Sequence, residues 1–132
     1  MVIDTSAVLA ILFGEPEASL FARAIASDPK RLMSSVSAFE AAVIIGARKG
    51  PLGVRELDLM THSAAITVVS FDEQQVQMAR TAYEKFGKGR HPAALNLGDC
   101  ASYALARASG EPLLFKGEDF SRTDIPLWSA EN

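Results

Sequence analysis

The chain has 132 residues, with 13 Lys and Arg against 16 Asp and Glu, a formal charge of −3 and 48% hydrophobic residues. This apolar fraction with so mild a charge excludes a disordered polyelectrolyte, and the negative sign excludes nucleic-acid binding by bulk positive charge. The length suits one domain over residues 1–132, able to bury a core without a disulfide or structural metal. Cys100, the only cysteine, has no internal partner and points to a reducing, cytoplasmic setting. Asp4 interrupts any signal-like start, and charges break every later apolar run before membrane-spanning length, so no membrane contact is expected.

Met1 to Ile3 is a short apolar run that predicts a strand, feeding the helix AVLAILF through Asp4, Thr5 and Ser6. Gly14, Glu15 and Pro16 break the chain before a helix over Glu17 to Ser27, with Leu20, Phe21, Ala24 and Ile25 on one face. Arg31 to Ser34 predicts a short strand, and a helix opens near Ser35 or Ser37. Its segment AFEAAVIIGARKG is apolar on nearly every side in its first half, which predicts burial in the core or in a subunit contact. Gly50, Pro51 and Gly53 then separate it from a further helix over Val54 to Ala65.

Ile66 to Phe71 is β-branched and apolar and predicts a buried strand, after which Asp72 caps a helix reaching Phe86. The loop GKGRHPAALNLG follows. Asp99 opens the helix DCASYALARASG, closed by Gly110; Pro112 to Phe115 is the next strand, and DIPLWSA supplies a last short one. Four to five short strands alternating with helices indicate an α/β fold with a mostly parallel central sheet flanked by helices.

Four acidic residues fall at junctions: Asp4 after the first strand, Glu40 in an apolar helix, Asp99 at a helix start, and Asp119 just beyond the strand PLLF. In a parallel sheet such junctions lie along one edge, where ligands bind, which places at least Asp4, Asp99 and Asp119 together, and Glu40 with them if its helix runs across that edge. Each has a structural alternative. Asp4 and Asp99 are favoured helix caps, Ser37 and Glu40 match a capping box, and Asp119 suits a turn. Glu40, however, sits among Ala, Phe, Val and Ile, where an unpartnered carboxylate is costly. Gathered carboxylates repel one another, and Mg2+ or Mn2+ relieves that repulsion through hard oxygen ligands. His62 and His91 have no zinc-ligand spacing with Cys100. A cation held there can activate water against a phosphodiester.

Such chemistry needs groups that hold a phosphate backbone. Lys85, Lys88, Arg90 and His91 form the densest basic run and lead into Asp99; Arg48 and Lys49 end the Glu40 helix, and Lys116 and Arg122 flank Asp119. Thr5 and Ser6 offer hydroxyls beside Asp4. Solubilising charge and helix capping are the alternatives for these residues.

VIDTSAVLA, SSVSAFEAAVII, HPAALNLGDCASYALA and LLFKGEDFSRTDI together resemble the PIN-domain ribonucleases, specifically the VapC-type toxins, over essentially the whole chain. The resemblance implies a single PIN-like domain that cleaves RNA as a Mg2+- or Mn2+-dependent endoribonuclease. It also implies a homodimer and neutralisation by a small VapB-type antitoxin. Asp4, Glu40 and Asp99 match the family's three acidic positions, Asp119 the fourth and Ser6 the site hydroxyl. Thr123 and Asp124 fall at its trailing Thr-Asp pair.

The expected mechanism has Asp4, Asp99 and Asp119 anchor metal, with Glu40 a further ligand or the group orienting water. In-line attack would leave a 5′-phosphate and a 3′-hydroxyl. Thr5, Ser6, Lys88, Arg90, His91, Lys116 and Thr123 are the expected RNA contacts, and tRNA or another structured RNA the expected substrate. Competing readings are an RNase H-like nuclease, whose first strand continues into antiparallel strands, a phosphatase or phosphoacceptor domain with an Asp nucleophile, and a non-catalytic module docking a basic partner segment. Taking the four acids from the 16 acidic residues leaves 12 against 13 basic ones, so the net acidity belongs to the candidate site.

Overall fold

In the computed structural model, which describes residues 1–130, Val2–Ile3 forms the first strand (β1), fully buried at the centre of the sheet. Leu32–Ser34 (β2), Thr67–Val69 (β3) and Leu113–Leu114 (β4) complete four strands in the order β3-β2-β1-β4. Every strand pair is parallel, with Val2 opposite both Leu32 and Leu113 and Met33 opposite Val68. That arrangement departs from the antiparallel continuation an RNase H-like nuclease requires. The connecting helices are α1 (Thr5–Leu12), α2 (Ala18–Ser27), α3 (Ser35–Ser63), α4 (Glu73–Phe86) and α5 (Leu97–Ser109).

Successive strand residues point to opposite faces, and the chain uses this to build two cores. Ile3 and Leu114 pack with Val8, Phe21, Ile25, Met33 and Ile45 on one face. Val2 and Leu113 pack with Leu95, Tyr103, Leu105 and Phe120 on the other. Because all strands run the same way, the residues following them gather along one edge of the sheet: Asp4 after β1, Ser35 after β2, and Phe115 to Asp119 beyond β4.

Several elements differ from expectation. The strand after Ile66 is an edge, with Val68 46% exposed, because nothing pairs its outer side; only Ile66 is buried as predicted. DIPLWSA forms no strand but a single bridge between Leu113 and Leu127, flanked by Leu113 N–H donating to Pro126 O and Trp128 N–H to Leu113 O. Pro126 has no N–H with which to extend a ladder. In α2, Phe21, Ala24 and Ile25 are buried as expected, whereas Leu20 is exposed.

The cap of α3 is Ser34, whose hydroxyl accepts from Val36 N–H, so Ser37 lies inside the helix and the Ser37–Glu40 capping box does not form. Gly50 interrupts α3 at φ 65°, a conformation that favours glycine, and Pro51 restarts the helix with the fixed φ it needs. In the first half of α3, Phe39 and Val43 are 72% and 55% exposed. That face is therefore not buried in the core of the protomer.

Candidate active site

Asp4 leaves β1 and caps α1. It is 4% exposed; its Oδ2 accepts from Ser6 N–H at 3.0 Å and Ser6 Oγ at 2.7 Å, and its Oδ1 accepts from Ser102 Oγ at 2.5 Å. Capping accounts for only part of this network, since Ser102 reaches Asp4 from the neighbouring helix α5. Glu40, in the second turn of α3, lays its carboxylate against Gly98 near the start of α5. A Cβ at Gly98 would lie 2.5 Å from Glu40 Oε2 and 2.7 Å from Oε1, so the absent side chain is what gives the carboxylate its place. Among the described residues no donor hydrogen-bonds to Glu40, which is only partly buried.

Asp99 is not the cap of α5; Asn96 is. The two form a reciprocal capping box, with Asn96 N–H donating to Asp99 Oδ2 at 3.0 Å and Asp99 N–H to Asn96 Oδ1 at 2.8 Å. Burial, with the charges of Asp4, Asp119 and Glu40 adding to it, pushes the Asp99 carboxyl up to about 7 against the opposing Asn96 N–H. Asp4, Glu40 and Asp119 are thus all within electrostatic reach of Asp99. Asp119 opens a 3-10 turn, Asp119–Arg122, and is exposed. Cys100 is buried beside this group, its thiol raised to about 11 by burial and by Asp99, and so remains protonated.

Among the described residues, no three His, Cys, Asp or Glu side chains converge as a closed ligand cage. An open set of hard carboxylate oxygens that repel one another fits a divalent cation keeping several waters.

The flanking residues divide sharply. Ser6 joins the network, its Oγ also accepting from Lys116 N–H at 2.9 Å. Thr5 does not: its buried hydroxyl donates to Ser37 O at 3.2 Å and ties α1 to α3. Lys88 and Arg90 are exposed in the basic loop, Arg90 lying 5.9 Å from the Tyr83 ring centroid. His91 shapes that loop, with Nδ1 accepting from Ala93 N–H at 3.0 Å and its ring edge-on to Phe86 at 5.1 Å. The Lys116 ammonium pairs with Glu15 and Glu17, which answers its charge within the chain.

Thr123 and Asp124 are both held by bonds within the chain. Thr123 Oγ1 donates to Phe120 O at 2.7 Å, closing the 3-10 turn. Asp124 accepts from Tyr103 Oη at 2.5 Å and from Arg107 at 2.8 Å, fastening the final segment to α5. Burial would raise the Asp124 carboxyl, but the Tyr103 hydroxyl and Arg107 hold it below its ordinary value. Replacing Asp124 by Ala is expected to lower stability by about 1 kcal/mol, since the pair with Arg107 is surface-exposed. Thermal unfolding with a parallel activity assay checks this; activity should be retained.

Sequence reasoning missed Asn96, Gly98 and Ser102, and read Ser37 only as a helix cap. Asn96 and Asp99 carry a legible capping pattern. Ser37 and Ser102 meet across 65 positions, 3.1 Å apart, and nothing local marks that meeting.

Comparison with known proteins gives the family and the fold. Residues 1–126 match the PIN domain family. Ribonuclease VapC of Mycolicibacterium smegmatis is 56% identical over 125 residues, covering 95% of this chain and 97% of that protein. Among solved structures, the Mycobacterium tuberculosis sarcin–ricin-loop-cleaving toxin VapC20 superposes with a TM-score of 0.76 at 18% identity, covering 94% of this chain and 95% of that one. A toxin–antitoxin complex from Klebsiella pneumoniae gives 0.69 at 19% identity, covering 92% and 90%. Those two are likenesses of fold, whereas the family match and the 56% identity carry kinship. The chain belongs to the PIN-domain family, among the VapC ribonucleases.

Proposed function

We propose that this chain is a divalent-cation-dependent endoribonuclease, the toxin of a toxin–antitoxin pair, hydrolysing phosphodiester bonds in tRNA or another structured RNA. The observation that carries the reading is the Asp99 carboxyl, raised to about 7 partly by the charges of Asp4, Asp119 and Glu40. A protein that gathers acids against their mutual repulsion at the ligand-binding edge of a parallel sheet is built to receive a cation. Kinship with proteins named VapC ribonucleases supports RNA as the substrate.

Asp4 and Asp99, with Asp119 at the exposed rim, would hold the cation, either Mg2+ or Mn2+. When bound, the cation supplies Lewis acidity at the phosphodiester. Glu40, which has no donor among the described residues, orients the attacking water and takes its proton. Ser6 keeps Asp4 in place, and Lys88 and Arg90 hold the RNA backbone through salt-sensitive contacts. In-line attack by water leaves a 5′-phosphate and a 3′-hydroxyl.

A small VapB-type antitoxin would neutralise the enzyme, and the exposed Phe39 and Val43 on α3 support a homodimer that covers them. No helix among the described residues is long and apolar enough to cross a membrane. The cytoplasm, where RNA and antitoxin would both be available, is the proposed location.

The test uses purified protein freed of any partner, incubated with total tRNA and Mg2+ or Mn2+. Cleavage that stops on adding EDTA is expected. RNA left intact under every divalent ion would overturn the enzymatic reading in favour of a docking module.

A further inference from the structure

We infer that Ser102, backed by Ser37, is a positioning residue that aims the single free lone pair of Asp4 Oδ1 at the cation. The inference rests on the metal-dependent reading above and adds to it two residues and a direction.

Ser102 and Ser37 are both completely buried. Several mid-helix hydroxyls in this chain bond back to the preceding turn: Thr61 donates to Leu57 O, Thr81 to Gln77 O and Ser109 to Leu105 O. Ser102 does not follow them. Its hydroxyl instead crosses to Asp4 Oδ1 at 2.5 Å, while Ser37 Oγ lies 3.1 Å from Ser102 Oγ. A serine hydroxyl has one proton to give. Because that of Ser102 goes to Asp4, Ser37 must be the donor to Ser102, and the relay runs from Ser37 through Ser102 to the carboxylate. A donor whose own oxygen accepts a hydrogen bond is polarised into a stronger one.

The count at Asp4 then gives the direction. Two bonds from Ser6 occupy Oδ2 and one from Ser102 occupies Oδ1. A carboxylate offers about four lone-pair positions, so the free one lies on Oδ1. With both oxygens tethered the carboxylate cannot rotate, and Asp4 meets a cation through one oxygen along one line. Without Ser102, Oδ1 loses its only tether.

The experiment measures Mn2+ binding without RNA, by the electron paramagnetic resonance signal of free Mn2+, alongside Mn2+ activation of cleavage. Ser102→Ala is expected to weaken Mn2+ binding on the order of tenfold, with half-activation moving up in step and by more than kcat falls. Ser102→Thr keeps the donor and should recover most of the affinity; Ser37→Ala, which only weakens the relay, should lose a few-fold. Folded Ser102→Ala protein that binds Mn2+ as tightly as the wild type would overturn the inference while leaving the nuclease reading intact. If Ser102→Ala does not fold, an unchanged Mn2+ affinity in Ser37→Ala overturns it instead. Wild-type protein that takes up no Mn2+ would remove the metal reading and this inference together.

Discussion

Asp99→Asn is expected to abolish RNA cleavage while making the metal-free protein more stable above neutral pH. An outer-shell partner of a metal is typically worth ~10–100-fold, so loss of a direct ligand should cost about a hundredfold or more. The stability change follows from the carboxyl's two environments. In the unfolded chain Asp99 ionises near 3.8, whereas in the folded protein it does so near 7. Between those values the unfolded state releases a proton that the folded state retains, so ionisation favours unfolding. The stabilisation from the protonated group is fully present below about 3.8, is lost as pH rises to about 7, and changes no further above that.

The wild-type melting temperature without metal should therefore fall across that window relative to the D99N variant. At pH 8, added Mg2+ should raise the wild type but not the variant. Asn keeps a side-chain oxygen to accept from Asn96 N–H, so the cap of α5 survives the substitution. Parallel pH–stability curves for the two proteins would show that Asp99 is not under the stress described.

Gly98→Ala should separate activity from stability in the same direction. The new methyl would stand 2.5 Å from Glu40 Oε2, closer than carbon and oxygen can approach, and the carboxylate must move. Since the obstacle is the far end of a flexible side chain, the fold should persist. Replacing glycine within a helix even contributes up to ~1 kcal/mol. Displacing a group that orients water by about an ångström costs on the order of 100-fold in rate. The expected result is a folded protein of equal or higher melting temperature with cleavage reduced roughly ten- to a hundredfold. Pairing Gly98→Ala with Glu40→Asp, which shortens the carboxylate's arm, should recover part of the loss. Full activity in Gly98→Ala would mean that Glu40 can serve from elsewhere.

Much of the fold and of the acidic set was legible residue by residue. Val2 and Ile3 read as a strand because a short apolar run met a capping Asp, and the structure places both in the core. Gly50 and Pro51 read as a break because one tolerates positive φ and the other cannot continue a helix. Asp4, Glu40, Asp99 and Asp119 stood out through their junction positions, and Asp99 senses the charge of the other three. The hydroxyls were less legible. Thr5 and Ser6 are adjacent and chemically alike, yet Ser6 bonds Asp4 while Thr5 turns to Ser37 O, because neighbouring helix positions face different elements. Thr123 and Asp124 matched a family pattern, but their bonds run to Phe120, Tyr103 and Arg107. Lys116 read as a cation flanking Asp119, and nothing local marked its ion pairs with Glu15 and Glu17.

What the sequence determined by itself was the alternation of strand and helix, the parallel sheet it imposes, and the acids it strings along one edge. Those features follow from period, capping and chain direction, which are local properties. Only the tertiary structure decided which helix faces were covered, leaving Phe39 and Val43 exposed in a segment that reads as buried in the core or in a subunit contact. Only it brought Gly98 beneath Glu40, and Ser37 and Ser102 against Asp4. Those meetings join residues far apart in the chain, and the close approach of α3 and α5 that creates them depends on the packing of the whole domain.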